Sequence, residues 1–158
     1  MIADTHMPRG GRELPPRCVE LLTGADLIVH AGDWATEAVL EQIAALGPPL
    51  VGVHGNVDEP ALRELLPEAV VFEHEGQEIA VVHDAGARQG RLPRMRRRFP
   101  TAAAVIFGHS HMPLHERDGG FQIFNPGSPT ERRRAPSHTM GLLELRAGHE
   151  PQFELVEL

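Results

Sequence analysis

Carboxylate, carboxamide and imidazole side chains recur just past the ends of apolar, strand-like runs of this sequence. The segments are Asp4-Thr5-His6, Gly32-Asp33, Gly55-Asn56-Val57-Asp58, His83-Asp84 and Gly108-His109-Ser110-His111. Each stands where a predicted strand gives way to a loop, and in open α/β sheets the carboxyl ends of the strands form the ligand crevice. We therefore expect the five segments to meet at one place.

Taken singly, each segment has an ordinary structural explanation. Asp33 could cap the helix that follows it, Asn56 could be a turn residue, and His83 could be a hydrogen-bonded histidine of the fold. His109 and His111 are separated by one residue, so on an extended chain both would point the same way. That pair is the hardest to explain without a ligand.

The segments together supply a mixed set of oxygen and nitrogen donors. It comprises two carboxylates, one carboxamide oxygen and four imidazoles, from Asp4, His6, Asp33, Asn56, His83, His109 and His111. Borderline divalent metals such as Mn²⁺, Fe²⁺, Zn²⁺ and Ni²⁺ favour such donors. Because seven protein ligands are too many for one metal that must also hold a substrate, the set predicts two metals about 3.5–4 Å apart that share a carboxylate.

The elements that must position these groups alternate in the first half of the chain. Helical patterns over Arg17–Thr23, Thr36–Leu46 and Ala61–Leu66 alternate with the apolar runs Asp26–His30 and Leu50–His54. Strands that alternate with helices indicate crossover units and a parallel sheet.

The second half has a different pattern, dominated by predicted hairpins. They pair Ala69–Glu73 with Gln77–His83, Leu114–Glu116 with Phe121–Phe124, and Met140–Leu145 with Gln152–Val156. Between the first two lie an arginine-rich stretch, Arg88–Phe99, predicted as a solvated helix, and an apolar strand, Ala102–Phe107. We expect an α/β fold with two sheets, one fed by crossovers and one largely antiparallel, in a single domain over residues 1–158.

The composition and charge of the chain restrict the classes of partner and the cellular compartment that we expect. The 15 basic residues, all of them arginine, stand against 22 acidic ones for a net charge of −7, which argues against long duplex nucleic acid as a partner. The longest apolar run is far shorter than the roughly 20 residues of a membrane-spanning helix. The sequence does not open with a signal-peptide pattern, and its single cysteine, Cys18, has no second cysteine to pair with. We expect a cytoplasmic protein without a membrane partner; the sequence leaves open whether it forms a homo-oligomer.

The ordered set of motifs resembles the calcineurin-like metallophosphoesterase superfamily. Asn125-Pro126-Gly127-Ser128, soon after the histidine pair, narrows the resemblance to its small single-domain bacterial and archaeal phosphodiesterase branch. The resemblance covers the chain from Asp4 nearly to the C-terminus. It implies a four-layer αββα sandwich of two mixed β-sheets flanked by helices, with a dimetal site at the strand tips.

The resemblance also implies which residues hold two divalent ions, with Mn²⁺ expected and Ni²⁺, Fe²⁺ or Zn²⁺ as alternatives. The first ion would be held by Asp4, His6, Asp33 and His111, and the second by the bridging Asp33 with Asn56, His83 and His109. The implied activity is hydrolysis of a small phosphodiester through a metal-bridging hydroxide, with Asp33, Asn56 and His109 acting through the metals. Two such ions, two carboxylates and a hydroxide carry a net +1, which attracts a diester monoanion.

Several residues near the motifs are candidates for supporting roles. Asp58 and Asp84 would orient the ligand loops, with turn or cap roles as the alternative. Among the arginines, Arg132 and Arg133 are the better candidates for contacts with substrate phosphate, although arginine clusters of this kind are more often solvated faces.

Two features depart from the family pattern. Larger members have histidine directly after the asparagine, where this chain has Val57, so the general acid is unassigned and we expect a preference for good leaving groups such as nitrophenolate. Only Ile2 and Ala3 precede Asp4 as an apolar strand, which is short for a central strand. The alternatives to a phosphodiesterase are a non-catalytic protein-binding scaffold of the same fold, as in a retromer subunit, and a phosphomonoesterase.

Overall fold

The apolar runs form strands and the amphipathic stretches form helices in the computed structural model, which describes residues 1–158. The helices are α1 (Pro16–Thr23), α2 (Glu37–Ala44), α3 (Pro60–Leu65) and α4 (Arg91–Arg98), preceded by a 3-10 turn over Arg9–Gly11. The strands are β1 (Ile28–His30), β2 (Leu50–Gly52), β3 (Ala69–His74), β4 (Gln77–Val82), β5 (Ala104–Ile106), β6 (Leu114–Asp118), β7 (Phe121–Asn125), β8 (Thr139–Glu144) and β9 (Gln152–Glu157). No helix has the length and apolar character needed to cross a membrane.

The beginning of the chain joins two strand pairs into one sheet. β1 pairs with β2 in parallel, and β8 pairs with β9 antiparallel. Between them, Ile2 bridges to His30, while the Met1 amine donates a 2.8 Å hydrogen bond to the Gly141 carbonyl. The N-terminal strand is therefore as short as the sequence indicates, yet it is buried and paired on both sides.

The second sheet has the order β3-β4-β5-β7-β6 and is mixed. Its two outer pairs are antiparallel hairpins, whereas β5 runs parallel to both β4 and β7. The prediction that this sheet is largely antiparallel was wrong at its centre, because the segment from β4 through α4 to β5 is a crossover connection. Both β4 and β5 consequently end at the same edge.

Three apolar clusters define four layers. Helices α1, α2 and α3 pack against one face of the first sheet, with Cys18, Ile43 and Leu62 fully buried. The two sheets pack face to face through Val29, Ile79 and other buried side chains, and α4 packs Met95 on the outer face of the second sheet. The αββα sandwich of two mixed sheets is confirmed.

Candidate metal centre

The seven predicted donor side chains follow five neighbouring strands. Asp4 and His6 follow the N-terminal strand, Asp33 follows β1, Asn56 follows β2, His83 follows β4, and His109 and His111 follow β5. These strands run parallel within each sheet, so their carboxyl ends share one edge of the sandwich. The structure brings all seven side chains together there.

One group of donors is fully buried. The Nε2 atoms of His6 and His111 lie 3.2 Å apart, and Nε2 of His111 lies 3.6 Å from Oδ1 of Asp4. One donor atom from each of these three residues lies within 4.8 Å of the other two, which suits a common metal ion.

The second group adjoins the first through both carboxylates, since one donor atom from each of Asp4, Asp33 and His83 also lies within 4.8 Å of the other two. Oδ2 of Asp33 lies 3.3 Å from Nε2 of His83 and 3.4 Å from Nε2 of His6. Asn56 places its Oδ1 3.1 Å from Nε2 of His83 and 2.8 Å from Nδ1 of His109. Asn56 and His109 are exposed, whereas the carboxylate of Asp33 is buried between the two groups.

Backbone carbonyls fix the tautomers of two histidines. Nδ1 of His83 lies 2.8 Å from the carbonyl oxygen of Ala31, and Nδ1 of His111 lies 2.6 Å from that of Glu131. Because a carbonyl only accepts, each Nδ1 carries the proton and each Nε2 lone pair faces the centre. This is the usual orientation of metal-ligating histidines.

The environment of the Asp4 carboxylate indicates that a cation fits at this centre. Its Oδ1 accepts a 3.0 Å hydrogen bond from the His109 amide, but its Oδ2 is buried without any hydrogen-bond partner, the only such side-chain atom in the chain. A buried carboxylate oxygen is costly unless a proton or cation satisfies it. Burial raises the pKa of Asp4 to about 7, with the charge of Asp33 adding to the rise. The donor set therefore fits divalent metal ions.

Three of the other ionisable donors, Asp33, His6 and His111, favour the protonation state that binds a metal, whereas His83 does not. Burial would raise the pKa of Asp33, but the hydrogen bond and charge of His83 outweigh it and lower the pKa to about 2. The same contacts raise the pKa of His83 against the effect of its burial. Burial lowers the pKa of His6 and takes that of His111 to about 4, so both present neutral imidazoles at pH 7.

The backbone is locally strained to aim these side chains. Of the eight non-glycine residues with positive φ, five are predicted donors, namely Asp4, His6, Asp33, His109 and His111. Such conformations cost energy and cluster where the surrounding structure fixes a functional group. The prediction that His109 and His111 lie on extended chain and point the same way was wrong, since His109 faces Asn56 while His111 faces His6.

Two glycines make room for the donors. A Cβ on Gly55 would collide with the carboxylate of Asp33, and one on Gly108 would lie 2.9 Å from the carbonyl oxygen of Ala31 and 3.1 Å from Oδ2 of Asp4. Glycine directly before Asn56 and His109 thus allows the ligand loops to touch.

The residues predicted to support the centre differ in their contacts. Asp58 is buried and accepts hydrogen bonds from the amides of Ala35 and Gly55. Asp84 is exposed and accepts one from the Gly86 amide, so its hydrogen bond is that of a turn residue.

The two arginine candidates also differ. Arg132 donates a 2.9 Å hydrogen bond to the Ala135 carbonyl. Arg133 is exposed and makes no hydrogen bond, and its positive charge adds to the burial that lowers the pKa of His6 and His111. Arg133 is therefore the one whose guanidinium is free beside the centre.

Three residues that are not predicted donors hold the ligand loops together. The Ser128 hydroxyl donates to the Asp4 carbonyl at 2.8 Å, so the motif ending at Ser128 is tied to the loop that carries Asp4 and His6. Glu131 lies 3.9 Å from Nε2 of His6 and pairs with Arg12 at 2.9 Å, a contact that no spacing in the sequence signals. His30, whose position on a strand predicts a core or a supporting role, accepts from the Gly32 amide and faces the Thr5 hydroxyl.

Comparison with known proteins agrees with this architecture. A family model described as the calcineurin-like phosphoesterase superfamily domain matches residues 1–148. A protein of Methanothermobacter thermautotrophicus named "Probable metallophosphoesterase" is 30% identical over 144 residues, covering 90% of this chain and 83% of that protein.

Two solved structures share the fold at low sequence identity. Vacuolar Protein Sorting 29 of Cryptosporidium parvum superimposes with a TM-score of 0.80 at 20% identity, over 99% of this chain and 95% of that one. A structure described as a novel archaeal phosphodiesterase superimposes with a TM-score of 0.74 at 18% identity, over 99% of this chain and 97% of that one.

Proposed function

The chain belongs to the calcineurin-like phosphoesterase superfamily, and from that premise we propose that it is a phosphodiesterase that works with two divalent metal ions at the strand tips. The observation that carries the proposal is the position of Asp33. Its Oδ2 lies within 3.4 Å of an imidazole nitrogen from each donor group, so one carboxylate is shared between two adjacent ligand sets. A shared carboxylate is the hallmark of a two-metal centre.

The proposed ligands divide along the two groups. Asp4, His6 and His111 would hold the first ion, and Asn56, His83 and His109 the second, with Asp33 shared between them. When bound, such ions polarise phosphoryl oxygens and acidify a coordinated water. Four imidazoles combined with carboxylate and carboxamide oxygens suit borderline divalent ions in general. Among them we propose Mn²⁺, which the family resemblance implies, with Ni²⁺, Fe²⁺ and Zn²⁺ as alternatives.

The residues of the chain contribute position and charge. The Val57 amide donates a 3.0 Å hydrogen bond to Oδ1 of Asp33, which leaves Oδ2 for the centre. Arg133 supplies a free guanidinium that suits a phosphate oxygen. The aliphatic side chain of Val57 offers no proton to a departing alcohol, and this favours substrates whose leaving group is stable as an anion.

A monoanionic diester fits this charge better than a dianionic monoester. Arg132 is engaged with the Ala135 carbonyl, so Arg133 is the single free arginine beside the centre. The net charge of −7 makes a small diester a better substrate than long duplex nucleic acid.

A protein-binding scaffold is the second candidate function, motivated by the fold shared with Vacuolar Protein Sorting 29. Two observations favour the enzyme over it. All seven donor positions hold metal-competent side chains, and Oδ2 of Asp4 has no partner in the protein. A scaffold without metal would gain stability by satisfying or replacing that buried oxygen.

The test is hydrolysis of bis(p-nitrophenyl) phosphate by metal-stripped protein, with and without added Mn²⁺, alongside Asp33→Asn. We expect turnover that requires metal and falls by about two orders of magnitude or more in the variant. Asp118→Asn, the same chemical change at the exposed end of β6, should behave like the wild type. Metal binding without turnover in the unmodified protein would favour the scaffold.

A further inference from the structure

An open cavity of about 420 Å³ adjoins the Asn56 and His83 side of the centre. Its volume lies at the small end of the range for ligand sites. The wall beyond those two donors is formed mainly by Arg63, Glu68, Val82, Asp84 and Arg98. A diester whose phosphate lies at the centre would place one of its two alcohol portions here.

Most residues of the wall carry polar or charged side chains. Val82 is its only hydrophobic residue, and no Phe or Trp contributes a ring. Sites for nucleobases and aromatic alcohols use aromatic or aliphatic faces for stacking. The cavity therefore offers neither a Phe nor a Trp face to a base or a phenyl group.

The charges of the wall also balance. The wall contains two arginines, Arg63 and Arg98, and two acidic residues, Glu68 and Asp84. Arg98 pairs with Glu68 at 3.0 Å. Arg63 is held by the carbonyls of Asn56 and Asp58 at 2.8 and 3.2 Å. A second phosphate would meet no net positive charge in this cavity, so an additional anionic group is not what it selects.

We propose that this cavity binds a polyhydroxylated alcohol portion of the substrate, of the glycerol or sugar type. Hydroxyl groups both donate and accept, so they match a wall of two carboxylate acceptors and two guanidinium donors. Glu68 and Asp84 accept from the hydroxyls, while Arg63 and Arg98 donate to them. The inference rests on the proposed phosphodiesterase function and names its substrate class.

The experiment compares two phosphomonoesters of equal charge, glycerol 3-phosphate and phenyl phosphate, with inorganic phosphate as reference. Their dissociation constants for the Mn²⁺-loaded protein are measured by calorimetry, and their inhibition constants against bis(p-nitrophenyl) phosphate hydrolysis are measured separately. We expect glycerol 3-phosphate to bind about tenfold more tightly than phenyl phosphate, the equivalent of one or two hydrogen bonds.

The double variant Glu68→Ala/Arg98→Ala removes one acceptor and one donor without changing the net charge. It should reduce the preference for glycerol 3-phosphate to within about twofold. Glu64→Ala/Arg97→Ala, on the same two segments but outside the cavity, should retain it. Thermal melting of both double variants verifies that each is folded.

Two results would overturn the inference. One is equal or tighter binding of phenyl phosphate; the other is a preference for glycerol 3-phosphate that survives in Glu68→Ala/Arg98→Ala. Failure of the phosphodiesterase function is distinguishable, because it would leave bis(p-nitrophenyl) phosphate uncleaved while calorimetry still detects the preference, an outcome that supports the cavity assignment.

Discussion

The carboxylate of Asp58 accepts a 2.6 Å hydrogen bond from the amide of Gly55, the residue before Asn56. Its other oxygen accepts a 2.8 Å bond from the amide of Ala35, two residues after Asp33. One buried side chain thereby ties the loop after β1 to the loop after β2. The distance between the carboxylate of Asp33 and the carboxamide of Asn56 depends on these two hydrogen bonds of Asp58.

Asp58→Asn should weaken both the fold and the metal site. An asparagine has one acceptor oxygen, so its NH₂ group would face one of the two amide donors and leave it unsatisfied. We expect a loss of about 1–3 kcal/mol in the free energy of unfolding, measured by denaturant titration, together with weaker Mn²⁺ binding measured by calorimetry. Asp84→Asn is the control, since Asp84 is exposed and bonds only to Gly86; equal effects in the two variants would contradict the role of Asp58.

Metal binding should release protons below neutral pH. Asp4 has a pKa of about 7 in the metal-free protein because it is buried, so it holds a proton at pH 6 and must lose it to become a ligand. The raised pKa of His83 acts in the same direction. Affinity for Mn²⁺ should therefore fall as the pH drops below 7.

Calorimetry in buffers of different ionisation enthalpy measures this release directly. We expect the release from the ligand side chains to be larger at pH 6 than at pH 8 by about one proton per protein, while any proton lost from metal-bound water adds to the release at the higher pH and offsets only part of this difference. In the Asp4→Asn variant, metal binding should no longer release the proton that comes from this position. Identical release at both pH values would show that Asp4 is already ionised before the metal binds.

The same shift affects the stability of the metal-free protein with a definite sign. The folded state binds the Asp4 proton more tightly than the unfolded state does, so the contribution of Asp4 declines as the pH rises from about 4 to about 7. Asp33 has the opposite effect on stability and at lower pH. Because its pKa in the folded state is about 2, its contribution to stability declines as the pH falls below about 4.

Val57 should make turnover sensitive to the leaving group. Without a proton donor at this position, the rate is expected to fall steeply as the leaving-group pKa rises along a series of substituted phenyl esters. Val57→His places an imidazole there and should flatten the dependence, while Val57→Ala should leave the slope unchanged. A flat dependence in the unmodified protein would mean that another group protonates the leaving alcohol.

Much of this architecture could be predicted because the sequence signals are local. The apolar runs and helix stop signals predicted every helix and strand to within a few residues. The five motifs lay at strand ends, and parallel strands bring such ends to one edge. The αββα order itself came from the resemblance, since periodicity alone does not say which faces pack together.

What could not be predicted depends on tertiary contacts. The parallel pairing of β5 with β4 and β7 follows from the crossover through α4, a segment that the sequence predicted only as a solvated helix. The hydrogen bond from the His109 amide to Asp4 and the contact between Glu131 and His6 each join residues more than a hundred positions apart. No local pattern records such contacts, because they arise only when the loops fold over one another.

The contact between Arg12 and Glu131 gives the last prediction. Arg12 Nη2 lies 2.9 Å from Oε1 of Glu131, whose other oxygen lies 3.9 Å from Nε2 of His6. The guanidinium thus neutralises a carboxylate at the rim of the first donor group. Without Arg12, an uncompensated negative charge would attract divalent cations and repel a phosphodiester monoanion. Arg12→Gln should therefore bind Mn²⁺ about three to ten times more tightly, by calorimetry and by the Mn²⁺ spin-resonance signal, while kcat/KM falls.

The double variant Arg12→Gln/Glu131→Gln should return both the Mn²⁺ affinity and kcat/KM toward the wild-type values. Arg17→Gln, which breaks the exposed pair with Glu20, should change neither. If the double variant binds and turns over like Arg12→Gln alone, the effect does not act through Glu131, and Arg12 serves only to hold its loop.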